Sequence, residues 1–243
     1  MTSSFDPALL QGLNLTADGD SGGYRIIIPD TANIAADTIG RHAAGGMAQR
    51  PAIVFEEADG GLKTLSYAEV DKKATRLAVG LRGMGVGPGD RVAVQSGPRP
   101  ETVITHMAVY KLGAILVTLS QLFGAETVEF ILEDCSARVF VTQDSVWAPL
   151  RPLRDGLQSL EHCIVVGDAA EGEIPFQDAL AAEAGDFTPL ETKAEDPALL
   201  IYTSGSTGQP KGILHAHRIL HAYNVSTSIF YNLEIDEQDL VFW

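Results

Sequence analysis

Residues 100–142 read PETVITHMAVYKLGAILVTLSQLFGAETVEFILEDCSARVFVT. Pro100 or Glu101 opens an apolar helix that runs through Leu112, and AILVTL follows as a strand. A second helix spans about Glu126 to Asp134 and leads into another strand, RVFVT. Strands alternating with helices predict parallel strands joined by crossover helices, because a parallel neighbour can be reached only by a long return connection. The fold class expected is therefore α/β, with parallel-rich sheets flanked by helices.

The same alternation extends in both directions. Upstream, GMGVGPGDRVAV supplies glycines for a helix exit and then a buried strand ending near Gln95. The helix before it starts at Ser66, where Glu69 three residues on can close a capping box, and runs to about Arg82. Pro51 opens the extended segment AIVFEE, and a turn at Asp59, Gly60 and Gly61 joins it to the strand LKTLS. Ile34, Ala35, Thr38, Ile39 and His42 follow helical spacing within 34–47, whereas in residues 1–30 only Arg25 to Ile28 reads as a strand.

Downstream, Pro149 and Pro152 interrupt a helical stretch over 144–162, and CIVVG is a strand. The acidic stretch from Asp168 to Asp196, punctuated by Pro175 and Pro189, reads as solvated surface. The strand ALLIY then delivers the chain into TSGSTGQPKG, with a helix expected after Pro210.

Composition narrows the classes of function. The chain has 243 residues, 45% of them hydrophobic, enough for a sizeable core. No apolar run approaches the roughly 18 residues of a membrane span, and the start, MTSSFDPALLQ, lacks the pattern of a signal peptide, so a cytoplasmic protein is expected. A formal charge of −15 argues against nucleic acid as a partner, since both nucleic acid and anionic membranes are gripped through Lys and Arg. Cys135 and Cys163 fit no disulfide or metal spacing. Any phosphate group must be met by a local device.

That device is the glycine- and hydroxyl-rich run Thr203 to Gly212 at the end of a strand. Gly205, Gly208 and Gly212 leave room for an anion and permit left-handed backbone, which costs other residues about 1–2 kcal/mol. The hydroxyls of Thr203, Ser204, Ser206 and Thr207 can donate to phosphate oxygens, and Lys211 adds a mobile positive charge. A Walker loop is excluded because Lys211 follows Pro210 and precedes Gly212 rather than a hydroxyl residue. The dinucleotide pattern G-x-G-x-x-G between strand and helix is absent from the earlier glycines as well. His217 and His221 share a helical face at i and i+4, but Arg218 breaks the H-E-x-x-H pattern and no third ligand is identified, so no metal site is assigned.

The run YTSGSTGQPKG resembles the phosphate-binding loop of the adenylate-forming acyl-activating enzymes. LSYAEV, GVGPGDRVAV and YKLGAILVTLS are similar to the earlier core segments of that family, in the same order. NIAADTIGRHA and QLFGAETVEFILEDCSARVFVT resemble the branch of acetyl-CoA and medium-chain or aromatic acyl-CoA synthetases, with Thr118 standing where many members have proline. The resemblance implies an acid–thiol ligase that joins a small carboxylic acid to coenzyme A by way of an acyl-adenylate, using ATP and Mg2+. Thr203, Ser204, Gly205, Ser206, Thr207, Gly208, Lys211 and Gly212 would bind the nucleotide, with Thr207 and Lys211 acting catalytically.

The same resemblance divides the chain into a lead-in (1–33), the first segment of one subdomain (34–85), a subdomain ending in the loop and its helix (86–220) and the start of a return to the first (221–243). It further implies an acidic ribose-binding segment, a hinge and a small domain carrying a catalytic lysine beyond Trp243, so the chain by itself is expected to be inactive. The glycine-rich cradle alone is also compatible with a phosphoryl-transferring or hydrolysing nucleotide protein, or with a nucleotide-binding module without turnover.

Overall fold

The computed structural model describes residues 15–18, 23–203 and 208–227. Its centre is a seven-stranded sheet. Five crossover-connected strands, β5 (Arg91–Gln95), β6 (Ile115–Thr118), β7 (Val139–Gln143), β8 (His162–Val166) and β9 (Ile174–Pro175), are joined by β10 (Pro197–Thr203) and β11 (Lys211–Ala216). The spatial order is β11-β10-β6-β5-β7-β8-β9, parallel throughout except for the antiparallel pair β10–β11. The α/β expectation from 100–142 holds.

Alternate residues of these strands supply two separate cores. Val92, Val94, Leu116, Val139, Val141, Ile164 and Val166 point to one face, where α2 (Tyr67–Gly83) and α3 (Pro100–Lys111) pack. Ala93, Val117, Phe140, Cys163 and Val165 point to the other, against α4 (Ala125–Asp134) and Trp147 in the short helix α5 (Asp144–Trp147). The period of two in side-chain direction makes a strand buried on both faces read as a continuous apolar run.

Each flanking element has a local cause. Ser66 caps α2 as anticipated: its hydroxyl accepts from the Glu69 amide at 3.2 Å while the Glu69 carboxylate accepts from the Ser66 amide at 2.8 Å. That reciprocal bonding holds the Glu69 carboxyl below its ordinary pKa. Gly80 lets α2 approach α6 (Phe176–Ala179), since a Cβ there would lie 2.3 Å from the Ala179 carbonyl oxygen. Pro100 starts α3, where a missing N–H costs nothing.

Ahead of the sheet lie the hairpins β1 (Leu15–Asp18) with β2 (Gly23–Ile26) and β3 (Pro51–Glu56) with β4 (Leu62–Ser66). Between them a π-helical turn, Ala36–Gly40, continues as α1 (Arg41–Ala44).

Two readings of the sequence need correction. The acidic stretch 168–196 is not simply solvated: Phe176, Ala179, Leu180, Thr192 and Ala194 are buried in it. Its Glu173 carboxylate accepts from Trp147 Nε1 at 2.6 Å and Arg151 Nε at 2.9 Å. An acidic average concealed apolar positions that pack beneath the sheet. Secondly, the segment after Pro210 is not a helix. It is β11, and α7 (Ile219–Val225) begins only after it.

Candidate functional site

In a doubly wound sheet, ligands bind outside the carboxyl ends of the strands where the strand order reverses. Here β5 is flanked by β6 and β7, so the reversal falls beside β5. The ends of β5, β7 and β10 present Gln95, Gln143 and Thr203 at that edge. Fully buried Gln95 donates from Nε2 to the carbonyls of Ser120 (3.0 Å) and Phe123 (3.3 Å), pinning the turn that follows β6. Gln143 Oε1 accepts from Ser96 Oγ and the Gly97 amide, both at 3.2 Å, pinning the turn after β5.

The glycine-rich run connects β10 to β11. Of the predicted site residues, Thr203, Gly208, Lys211 and Gly212 are described; Ser204, Gly205, Ser206 and Thr207 lie outside the described residues. Thr203 pairs directly with Lys211, which places both side chains on the same face of the sheet, about 5 Å apart at Cβ. Both are exposed, and Lys211 has no ion pair among the described residues, in a chain carrying 32 acidic side chains. An uncommitted ammonium beside a threonine hydroxyl at a loop mouth suits a phosphate oxygen.

The glycines divide by cause. Gly208 has φ +114°, a backbone state that the sequence argument anticipated. Gly212 does not: it lies within β11 opposite Tyr202, and a Cβ there would come within 3.0 Å of Leu200 Cδ1 and 3.2 Å of Tyr202 Cζ. Glycine is needed at 212 for close packing rather than for left-handed torsion.

Tyr202 is the residue that sequence reasoning missed. It is buried, and its hydroxyl donates to Asp134 Oδ2 at 2.5 Å, tying the strand end that enters the loop to the last residue of α4. Burial first, then this bond, pushes the phenol pKa up. Tyr202 stands beside the loop in sequence, but nothing local identifies a partner 68 residues away.

His217 and His221 do not make a metal centre. His217 is fully buried and its Nδ1 accepts the Ile34 amide at 3.2 Å, so the proton of the neutral ring sits on Nε2 and blocks ligation there. Burial lowers the His217 pKa, opposed by the nearby Asp196 and Asp37 carboxylates. Among the described residues, no group of three or more His, Cys, Asp or Glu is placed to hold a metal ion. Cys135 and Cys163 are both free and buried, and burial raises both thiol pKa values, to about 11 and about 12. They are inert packing groups.

The chain is 31% identical over 202 residues to an acetyl-coenzyme A synthetase of Streptomyces coelicolor, a match covering 76% of this chain and 31% of that protein. It is 29% identical over 199 residues to a long-chain-fatty-acid–CoA ligase of Thermus thermophilus, covering 82% of this chain and 36% of the ligase. Among solved structures, the anthranilate CoA ligase AuaEII in complex with anthranoyl-AMP superposes with a TM-score of 0.74 at 30% identity, over 84% of this chain and 38% of that one. The chain thus spans about a third of the length of these relatives. The family model described as AMP-binding enzyme matches residues 40–243, and the chain belongs to that family.

Proposed function

We propose that this chain supplies the triphosphate-binding part of an ATP-dependent carboxylate-activating enzyme, one that forms an acyl-adenylate and passes the acyl group to coenzyme A. The observation that carries this is the hairpin β10–β11, which pairs Thr203 with Lys211, a lysine without an ion pair among the described residues, where the glycine- and hydroxyl-rich loop begins and ends. The relatives named above, two CoA ligases and an acetyl-CoA synthetase, support the acid–thiol reading. The substrate class is a small-molecule carboxylic acid, and the split into a loop-bearing subdomain (86–220) and a second subdomain begun by 34–85 is part of the same proposal.

The residues present fit the nucleotide. In adenylation the carboxylate attacks the α-phosphorus and pyrophosphate leaves, so negative charge gathers on the departing oxygens. Thr203 and Lys211, with the loop hydroxyls of Ser204, Ser206 and Thr207, would hold those oxygens. Gly205 and Gly208 would keep the backbone open to them, while Gly212 seats β11 closely against Leu200 and Tyr202. Mg2+ accompanying the triphosphate would offset part of the same charge.

The test is calorimetry of MgATP with the wild-type chain and with Lys211→Ala. A unit charge pair at 4 Å is worth about 4 kcal/mol at an effective dielectric of 20, most of it offset by desolvation, so the variant should bind about tenfold more weakly. Unchanged affinity would remove Lys211 from the site. Exchange of labelled pyrophosphate into ATP that requires an added carboxylic acid would support adenylation, whereas phosphate release without any acid would identify hydrolysis.

A further inference from the structure

The base of the loop-bearing hairpin is held by a knot of long-range bonds. The segment ahead of β10 pairs with the amino-terminal segment: Ala32 N donates to Thr192 O at 3.0 Å, Thr192 Oγ1 to Ala32 O at 2.5 Å and Ala194 N to Asp30 O at 2.9 Å. The residues following β11 join the same knot, with His217 N donating to Asp196 O at 3.1 Å and Arg218 N to Ala194 O at 2.9 Å. Asn33 caps the helical segment that starts beside it, its Oδ1 accepting from the Ala35 and Ala36 amides, while its Nδ2 donates to the Tyr110 and Leu190 carbonyls.

One amide of that helix start, Ile34 N, is left for the imidazole of His217, 183 residues away. The cost of keeping this ring is visible. Its Nε2 is buried without a hydrogen-bond partner among the described residues, and an unsatisfied buried donor is destabilising. The ring also stands edge-on to Tyr110, with centroids 6.0 Å apart. A leucine would fill such a site without an orphaned donor, so the feature that singles out histidine is the acceptor at Nδ1.

We propose that His217 is a positioning residue: by accepting the Ile34 amide it clamps the end of β11 to the amino-terminal helix and so holds the hairpin that presents Thr203 and Lys211. The clamp acts on the nucleotide site through the backbone of β11, and its functional meaning rests on the reading of that site given above. Its existence can be tested without that reading.

Three variants separate the roles. His217→Asn places an amide oxygen where Nδ1 lies and retains an acceptor; His217→Leu removes it; Ile34→Pro removes the donor at a first helical position, where proline is tolerated. Hydrogen exchange of the full chain should show amides 211–216 at least fivefold less protected in His217→Leu and in Ile34→Pro, with β5–β7 unchanged and His217→Asn close to wild type. The double variant His217→Leu/Ile34→Pro should be no worse than either single, as for two halves of one interaction. MgATP affinity should follow the same order, falling severalfold in the two broken forms.

Hairpin protection equal to wild type in both His217→Leu and Ile34→Pro would overturn the clamp, as would loss of protection in His217→Asn equal to that in His217→Leu. If one variant fails to fold, the other decides by the same exchange measurement. A wild-type chain that takes up no MgATP would sink the functional reading and leave the exchange result to judge the clamp.

Discussion

At the scale of single residues, the loop-bearing hairpin works by what its side chains avoid as much as by what they bond. Gly212 leaves room for the Tyr202 ring, and Tyr202 in turn reaches Asp134. Gly212→Ala would press a methyl group to within 3.0–3.2 Å of Leu200 and Tyr202. The neighbours must yield by a few tenths of an ångström, at a cost of about 1–2 kcal/mol. The expected outcome is a lower urea midpoint together with weaker MgATP binding, because the displaced ring ends the strand that leads into the loop. Of this local arrangement, the glycine-, hydroxyl- and lysine-bearing composition of the loop was legible in the sequence, while its role in binding belongs to the proposal. Tyr202–Asp134 was not, since a phenol finds its carboxylate only after β10 and α4 have been brought together.

At the scale of elements, helix starts and strand faces were written locally. The Ser66–Glu69 capping box depends on residues three apart, and both its bonds form. The replacement of an expected helix by β11 shows the opposite case. KGILHA has no strong local preference, and it becomes a strand because β10 offers an open edge across a short loop. The packing of α2 on α6 is decided by one position. Gly80→Ala gains helix propensity of under about 1 kcal/mol but drives a methyl carbon into the Ala179 carbonyl, 2.3 Å away. A backbone oxygen cannot rotate aside, so a net loss of about 2–3 kcal/mol is expected in chemical denaturation. Stability equal to wild type would show that α6 shifts freely.

For the whole molecule, pH dependence follows from two imidazoles drawn away from water, the fully buried His217 and the half-buried His106. Burial pushes His106 down to about 4 and lowers His217 as well. The unfolded chain therefore binds protons more readily than the folded chain between about pH 6.5 and about 4, so folding stability is fully present above that window and declines as pH falls through it. For His106 alone the loss over the full window is on the order of 3 kcal/mol. Glu69 and Glu161, whose carboxyls are held below their ordinary values by bonds to Ser66 and Arg138, add a further loss only at lower pH. Denaturation midpoints measured from pH 7.5 to 4.5 should fall continuously; in His106→Gln the decline above pH 5 should be smaller. A midpoint independent of pH across that range would contradict the lowered pKa values of these rings.

The sequence by itself determined the alternation of strands and helices, the capping of α2 and the chemical character of the glycine- and hydroxyl-rich loop, because periodicity, caps and anion-binding residue types act over a few neighbouring positions. Only the tertiary structure decided that β10 and β11 form a hairpin, that Gly212 is a packing glycine, and that Asn33 and His217 tie the helix start at Ile34 to Tyr110, Leu190 and the residue after β11. Those outcomes depend on pairings between residues tens to hundreds of positions apart, where the partner is chosen by which strand edge is open and which buried donor still lacks an acceptor.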